Sequence, residues 1–208
     1  GWQGWRTWAG RVLPTKEAAL GKLSEPELVE KAAQAEKWDP RSPVMAMALG
    51  DAYRLKLIEV YFTPPPSSAA DQEKRKRDIA RLAEQSVHWY SEAARRSPRD
   101  DIPGVRQASV LDLQGKFQEA EVLYLRGLEK RPHSQFVRIS YGNHLWRKGD
   151  LEGAQREFEK AIETPGLHRP GDGVDPSVEA REMLDKVKEQ IAKGGTKRQS
   201  PKFNPRED

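Results

Sequence analysis

The sequence predicts an all-α solenoid of about three helical hairpins, one of them extended, closed by a capping helix. Three observations predict it. The chain repeats at a spacing of 34 residues, a period typical of stacked supersecondary units. Its apolar residues recur at the intervals of one helix face and not in the alternation of a strand. Gly, Pro, Ser and Asp stand where such helices have to begin and end.

A shift of 34 places Tyr90 on Tyr124, Ala93 on Gly127 and Pro98 on Pro132. It also places Ala108 on Gly142, Leu111 on Leu145, Gly115 on Gly149, Ala120 on Ala154, Tyr124 on Phe158 and Leu128 on Ile162. Small residues at 108 and 142, 120 and 154, and 127 and 161 let antiparallel backbones approach, and Tyr124 and Phe158 fill the space between neighbouring units. Gly115 and Gly149 end helices where φ > 0 is required, and Asp150 is placed to cap the next helix. Pro98 and Pro132 fall past helix ends, where a missing N–H does no harm.

Taken in order, residues 1–23 are read as a helix and linker. Trp2, Trp5 and Trp8 lie there at helical spacing with Arg6 and Arg11, either packing on the first hairpin, the preferred reading, or meeting a membrane interface. A helical domain, 24–192, follows. Ser24-Glu25-Pro26-Glu27 is a capping box with proline in the first turn; it opens a half repeat, 24–40, that stops at Asp39-Pro40. The unit 43–98 opens with Leu49-Gly50-Asp51-Ala52-Tyr53 and closes with Tyr90, Ala93 and Pro98, but Gly50 lies 24 residues upstream of the repeat register. An extended hairpin accounts for this. Leu55, Leu57, Ile58, Val60, Tyr61 and Phe62 carry its first helix to Pro64-Pro65-Pro66. Its second helix runs from near Ala70 to about Arg96, with Ile79, Leu82, Ala83, Ser86, Val87, Tyr90 and Ala94 inward. Units 101–132 and 135–166 come next, then a capping helix, 175–192, opened by Asp175-Pro176 with Val178, Met183, Leu184, Val187 and Ile191 on one side. The basic tail, 193–208, is polar and Pro-containing and is read as disordered.

The net charge of +4 is carried by the ends. Arg6, Arg11, Lys16 and the tail cations hold the excess and leave residues 17–192 net negative, so the body lacks the basic footprint that phosphate binding needs and nucleic acid is not the expected partner. The run Glu73 to Arg81, with Lys74, Arg75, Lys76, Arg77 and Arg81, has no interleaved aromatic residue and reads as a solvated helix face. Without cysteine there is no disulfide framework, thiolate zinc site or thiol nucleophile. His88, His133, His144 and His168 lack metal-ligand spacing, so no enzyme, metal or cofactor role is expected. The longest apolar run, Val44 to Leu49, is far shorter than the roughly 20 residues of a membrane span. The chain begins at Gly1 and has no secretory pattern, which reads as a fragment or a processed form; membrane attachment through an upstream segment stays open, as do compartment, cytoplasmic or extracytoplasmic, and oligomeric state.

Tyr141-Gly142-Asn143 through Gly149-Asp150-Leu151, with Ala154, Phe158, Ala161 and Ile162, resembles the tetratricopeptide repeat family. The unit from Ile102 to Pro132 departs from that pattern, with Gln107-Ala108 for the usual Leu-Gly and Gly127 for an Ala. The resemblance implies a right-handed solenoid whose first helices line a concave face that holds a protein or peptide partner, hence a scaffold or adaptor. On that face it would set Met47, Asp51, Arg54 and Leu55 from one unit. The next two units would add Val105, Arg106, Ser109 and Asp112, then Ile139, Asn143, Trp146 and Arg147. Asn143 and Arg147, one turn apart, suit a carboxylate or a backbone amide. Asp51 and Ser109 occupy the places matching Asn143, which argues against a clamp for chaperone C-termini. A fainter likeness runs from Val87-His88-Trp89-Tyr90 through the Gly115 turn, Ala120-Glu121 and Tyr124. It is similar to the repeats that follow the membrane spans of some bacterial O-antigen ligase or polymerase family proteins, and it includes no catalytic motif.

Overall fold

The computed structural model describes residues 23–164 and 176–194. Among these residues there are eight helices: α1 (Glu25–Trp38), α2 (Pro43–Phe62), α3 (Ala69–Arg96), α4 (Ile102–Leu113), α5 (Phe117–Lys130), α6 (Gln135–Lys148), α7 (Leu151–Glu163) and α8 (Pro176–Ala192). Two compact units divide inside α4, the first ending at Val110 and the second beginning at Leu111.

In the first unit the local signals act as the sequence requires. Ser24 donates to Glu27 Oε2 from both its backbone N–H and its hydroxyl, each at 2.6 Å, so the Glu27 side chain makes its half of the capping box where α1 starts. Ser42 Oγ accepts from the Met45 N–H at 3.2 Å and caps α2, with Pro43 in its first turn. Helix α2 ends at Phe62, just before the three prolines, and Ser68 caps α3 by accepting from the Asp71 N–H at 3.1 Å. The expected extended hairpin is thus α2 with α3, the latter 28 residues long. Arg75 reaches back from α3 and donates to the carbonyls of Val60, Tyr61 and Thr63 at 3.1, 2.8 and 2.7 Å. Those are carbonyls at the end of α2 that the helix itself leaves without partners.

Two further cations of the basic run are also tied: Lys76 pairs with Glu73, and Arg81 pairs with Asp78 and with Glu25 of α1. Met45, Leu49, Tyr53 and Leu57 of α2 and Leu82, Ala83, Tyr90 and Ala93 of α3 are buried. The buried Arg96 side chain fastens the end of α3 to α1, donating to Glu36 at 2.6 Å and to the Ser42 carbonyl at 3.3 Å.

In the second unit Gly115 and Gly149 adopt φ of 73° and 84°, the left-handed geometry expected of them. Asp150 Oδ1 then accepts from the Gly153 N–H at 2.9 Å and starts α7. The core gathers Ile139, Leu145, Leu151, Ala154, Phe158 and Ala161, and α8 closes it with Ala180, Leu184 and Val187. That is the capping role expected of the last helix. The Trp2/Trp5/Trp8 stripe, Asp175 and the tail beyond Gly194 lie outside the described residues. No helix among the described residues is long and apolar enough to cross a membrane.

Candidate partner-binding site

The face of α2 that concerns function lies beside its buried stripe. With Ala46, Leu49, Gly50, Tyr53 and Leu57 turned inward, the helical period leaves Met47, Asp51, Arg54 and Leu55 at the edge of the hairpin, each half-buried. Tyr90 of α3 comes up against this edge because residue 50 has no side chain. A Cβ on Gly50 would lie 2.6 Å from the Tyr90 ring.

That close approach positions the phenol among charges. Tyr90 Oη donates to Asp51 Oδ1 at 2.7 Å and accepts from Arg54 Nε at 3.2 Å. Arg106 of α4 brings its Nε to 3.8 Å from the same Asp51 oxygen, as does Arg54. Three helices of the first unit therefore contribute to one polar cluster of two guanidiniums, one carboxylate and one hydroxyl. Burial, and then the Asp51 charge, push the Tyr90 phenol far above its ordinary value, while Arg54 and Arg106 pull the other way. The hydroxyl stays a neutral donor. Ser109 is half-buried on the same helix as Arg106.

Other residues expected on the face are placed differently. Val105 is only 1% exposed and Ile139 4%, so both are core residues and not contacts for a partner. Asp112, 5% exposed, is buried as well: it accepts from the Tyr124 hydroxyl at 3.0 Å, and its other oxygen lies 2.7 Å from His144 Nδ1. Its carboxylate serves the interior of the second unit. Trp146 is half-buried and donates from Nε1 to Gln190 Oε1 of α8 at 2.7 Å, which turns it toward the capping helix. Asn143 and Arg147 remain half-exposed one turn apart on α6.

Sequence reasoning missed two side chains. Tyr90 was read only as a packing residue, although the register that aligns it with Tyr124 and Phe158 shows a hydroxyl at two of three equivalent places. His144, which shows no metal-ligand spacing in the sequence, is wholly buried with Tyr124, Tyr141 and Phe117 ringed about it at centroid distances of 5.1, 5.8 and 6.2 Å. Its spacing to Asp112 crosses a turn and a helix, so no local pattern reveals the pair.

No family model matches the sequence, and no curated protein matches it. Among solved structures the chain is similar to a thermophilic TPR protein of Thermus thermophilus, with a TM-score of 0.56 and 19% identity. The likeness covers 77% of this chain and 72% of that one. At this identity it speaks for the fold, and it agrees with the repeat of small residues, aromatic residues and left-handed glycines described above. The chain therefore has an all-α fold of the tetratricopeptide type.

Proposed function

We propose that this protein is an interaction scaffold that holds a segment of a partner protein against the first helices of its hairpins. A tetratricopeptide-like fold suggests a scaffold in general terms. The observation that supports the finer reading is the cluster of Asp51, Arg54, Tyr90 and Arg106. A preformed, half-exposed polar group beside the apolar Met47 and Leu55 offers both anchoring area and directional hydrogen bonds. Asn143 and Arg147 are the corresponding contacts of the second unit, each on a helix already fixed by its neighbours.

Site-specific photo-crosslinking tests this reading. A benzophenone side chain placed in turn at Met47, Ser109 and Asn143 should give the same partner adduct from native cell extract. The same group at Val122 or Leu125, both well exposed on α5, should give none. Adducts from Val122 and Leu125 but not from the other three would place the partner elsewhere and overturn the proposal.

A further inference from the structure

We infer that the tip of the extended hairpin, Thr63-Pro64-Pro65-Pro66, is itself a ligand, offered to a partner domain whose groove is lined by aromatic rings. The arm that carries it does little for the core. Helices α2 and α3 run 20 and 28 residues, against 12 to 14 in α4 to α7. No residue in the stretch 58–81 is buried. Core packing therefore ends at Leu57 and Leu82, and the overhang beyond them holds out a loop. One proline suffices to stop α2, whereas three in succession impose a conformation.

That conformation is the extended left-handed helix of polyproline. Each proline ring fixes φ near about −65°, and Thr63, Pro64 and Pro65 each precede a proline, which holds ψ in the extended range. Thr63 adopts φ −64° and ψ 135°, the polyproline II geometry. With three residues per turn, successive rings of such a helix stand about 120° apart. Pro66 is half-buried while Pro64 and Pro65 are exposed, so one edge rests on the hairpin and two rings are open to a partner.

The segment is also pinned at both ends. Arg75 Nη2 donates to the Thr63 carbonyl at 2.7 Å, and Gln72 Nε2 donates to the Pro66 carbonyl at 3.0 Å. Between these anchors Pro64 and Pro65 have no N–H to satisfy, and their carbonyls take no hydrogen bond among the described residues. Ring faces for stacking and open carbonyls for indole or phenol donors are what an aromatic groove reads in a polyproline segment. Here they are ordered before the partner arrives, which removes part of the entropic penalty of binding. Tyr61, 37% exposed at the end of α2, adds apolar contact on one side.

The test is photo-crosslinking of the full chain with capped hexaproline as the competing probe. A benzophenone side chain at Ser67, exposed and next to Pro66, should give a partner adduct from native cell extract. Excess hexaproline offers rings and carbonyls in the same helix and nothing else, so it should cut that adduct at least about fivefold, while a capped Gly/Ser hexamer leaves it unchanged. Pro64→Ala with Pro65→Ala should cut it at least about fivefold with the melting temperature unchanged, because neither ring packs in the core. Should that variant melt lower, competition against the unaltered chain still decides.

The inference is overturned if Ser67 gives no adduct, if hexaproline fails to displace it, or if it survives the double proline substitution. The face probed from Met47 is separate. If the Met47 adduct forms while Ser67 fails, the scaffold reading stands and the tip is no ligand; if both fail, both readings fall.

Discussion

The ring of Tyr90 lies so close to Gly50 that a Cβ there would sit 2.6 Å from it, and Phe158 stands in the same relation to Gly142, at 2.7 Å. The two pairs are equivalent positions of the repeat, although a longer hairpin separates the first pair. A glycine inside a helix is unfavourable by up to about 1 kcal/mol relative to alanine, so Gly→Ala would stabilise a free helix. Here overpacking opposes it, typically by about 1–3 kcal/mol, because the obstacle is the body of a buried ring and not a flexible chain end. Gly50→Ala and Gly142→Ala should therefore each lower stability, by up to about 2 kcal/mol in denaturant melts once both effects are counted. A rise in midpoint for either would show that the hairpins can part to admit a methyl group.

The long arm of the first hairpin is held at its far end by Arg75. Its guanidinium bonds three carbonyls of α2's last turn and the residue after it. Arg75→Ala removes three charge-assisted bonds at a site open to water, where the freed carbonyls can be rehydrated, so the loss should be nearer about 1–2 kcal/mol than the sum of three buried bonds. The effect should be local. Hydrogen exchange should accelerate for the Thr63 amide, which bonds the Glu59 carbonyl, while the Ala93-bonded amide of Ser97 keeps its protection. Equal acceleration at both would mean that the arm and the base of the hairpin open together.

Helix boundaries were legible in the sequence because their causes are local. Ser24 with Glu27, Gly149 with Asp150, and Phe62 before Pro64 lie within a few residues of each other, and caps and prolines act over that range. The candidate site was legible in part for the opposite reason. The period of a helix says which residues share a face, but not which part of that face a neighbouring helix covers, so Val105 and Ile139 were placed on a surface that is interior. Charge misled at Asp112. A carboxylate reads as solvent-exposed unless its partners are seen, and those partners, Tyr124 and His144, are 12 and 32 residues away.

Burial of Asp112 separates the two readings of that residue by experiment. On a binding face Asp112→Ala would leave stability nearly unchanged and weaken only partner capture. In the interior it strips the acceptor from the Tyr124 hydroxyl and from His144 Nδ1 together, and each orphaned buried group costs about 1–3 kcal/mol. Asp112→Ala should thus lower stability by about 2–5 kcal/mol, whereas Ser109→Ala, half-exposed on the same helix, should change it by less than about 0.5 kcal/mol. Similar melts for the two variants would return Asp112 to the surface.

Glu92 gives the first unit a defined response to acid. Arg95, bonded to its carboxylate, and then Arg96, hold its pKa down at about 2, well below the ordinary carboxylate range. A carboxylate whose pKa is depressed by folding stabilises the native state at pH values above its unfolded pKa and loses that contribution as pH falls toward the folded value. The window is therefore from about pH 4.5 down to about pH 2. Because the Glu92 side chain still meets water, at 24% exposure, solvent screening keeps its direct contribution small, on the order of 1 kcal/mol or less. Glu92→Gln should melt below the wild type at pH 7, and the gap should shrink steadily as the pH falls through the window. Were the gap to stay constant to pH 2, the difference would come from the lost grip of Arg96 on α1 and not from the charge of Glu92.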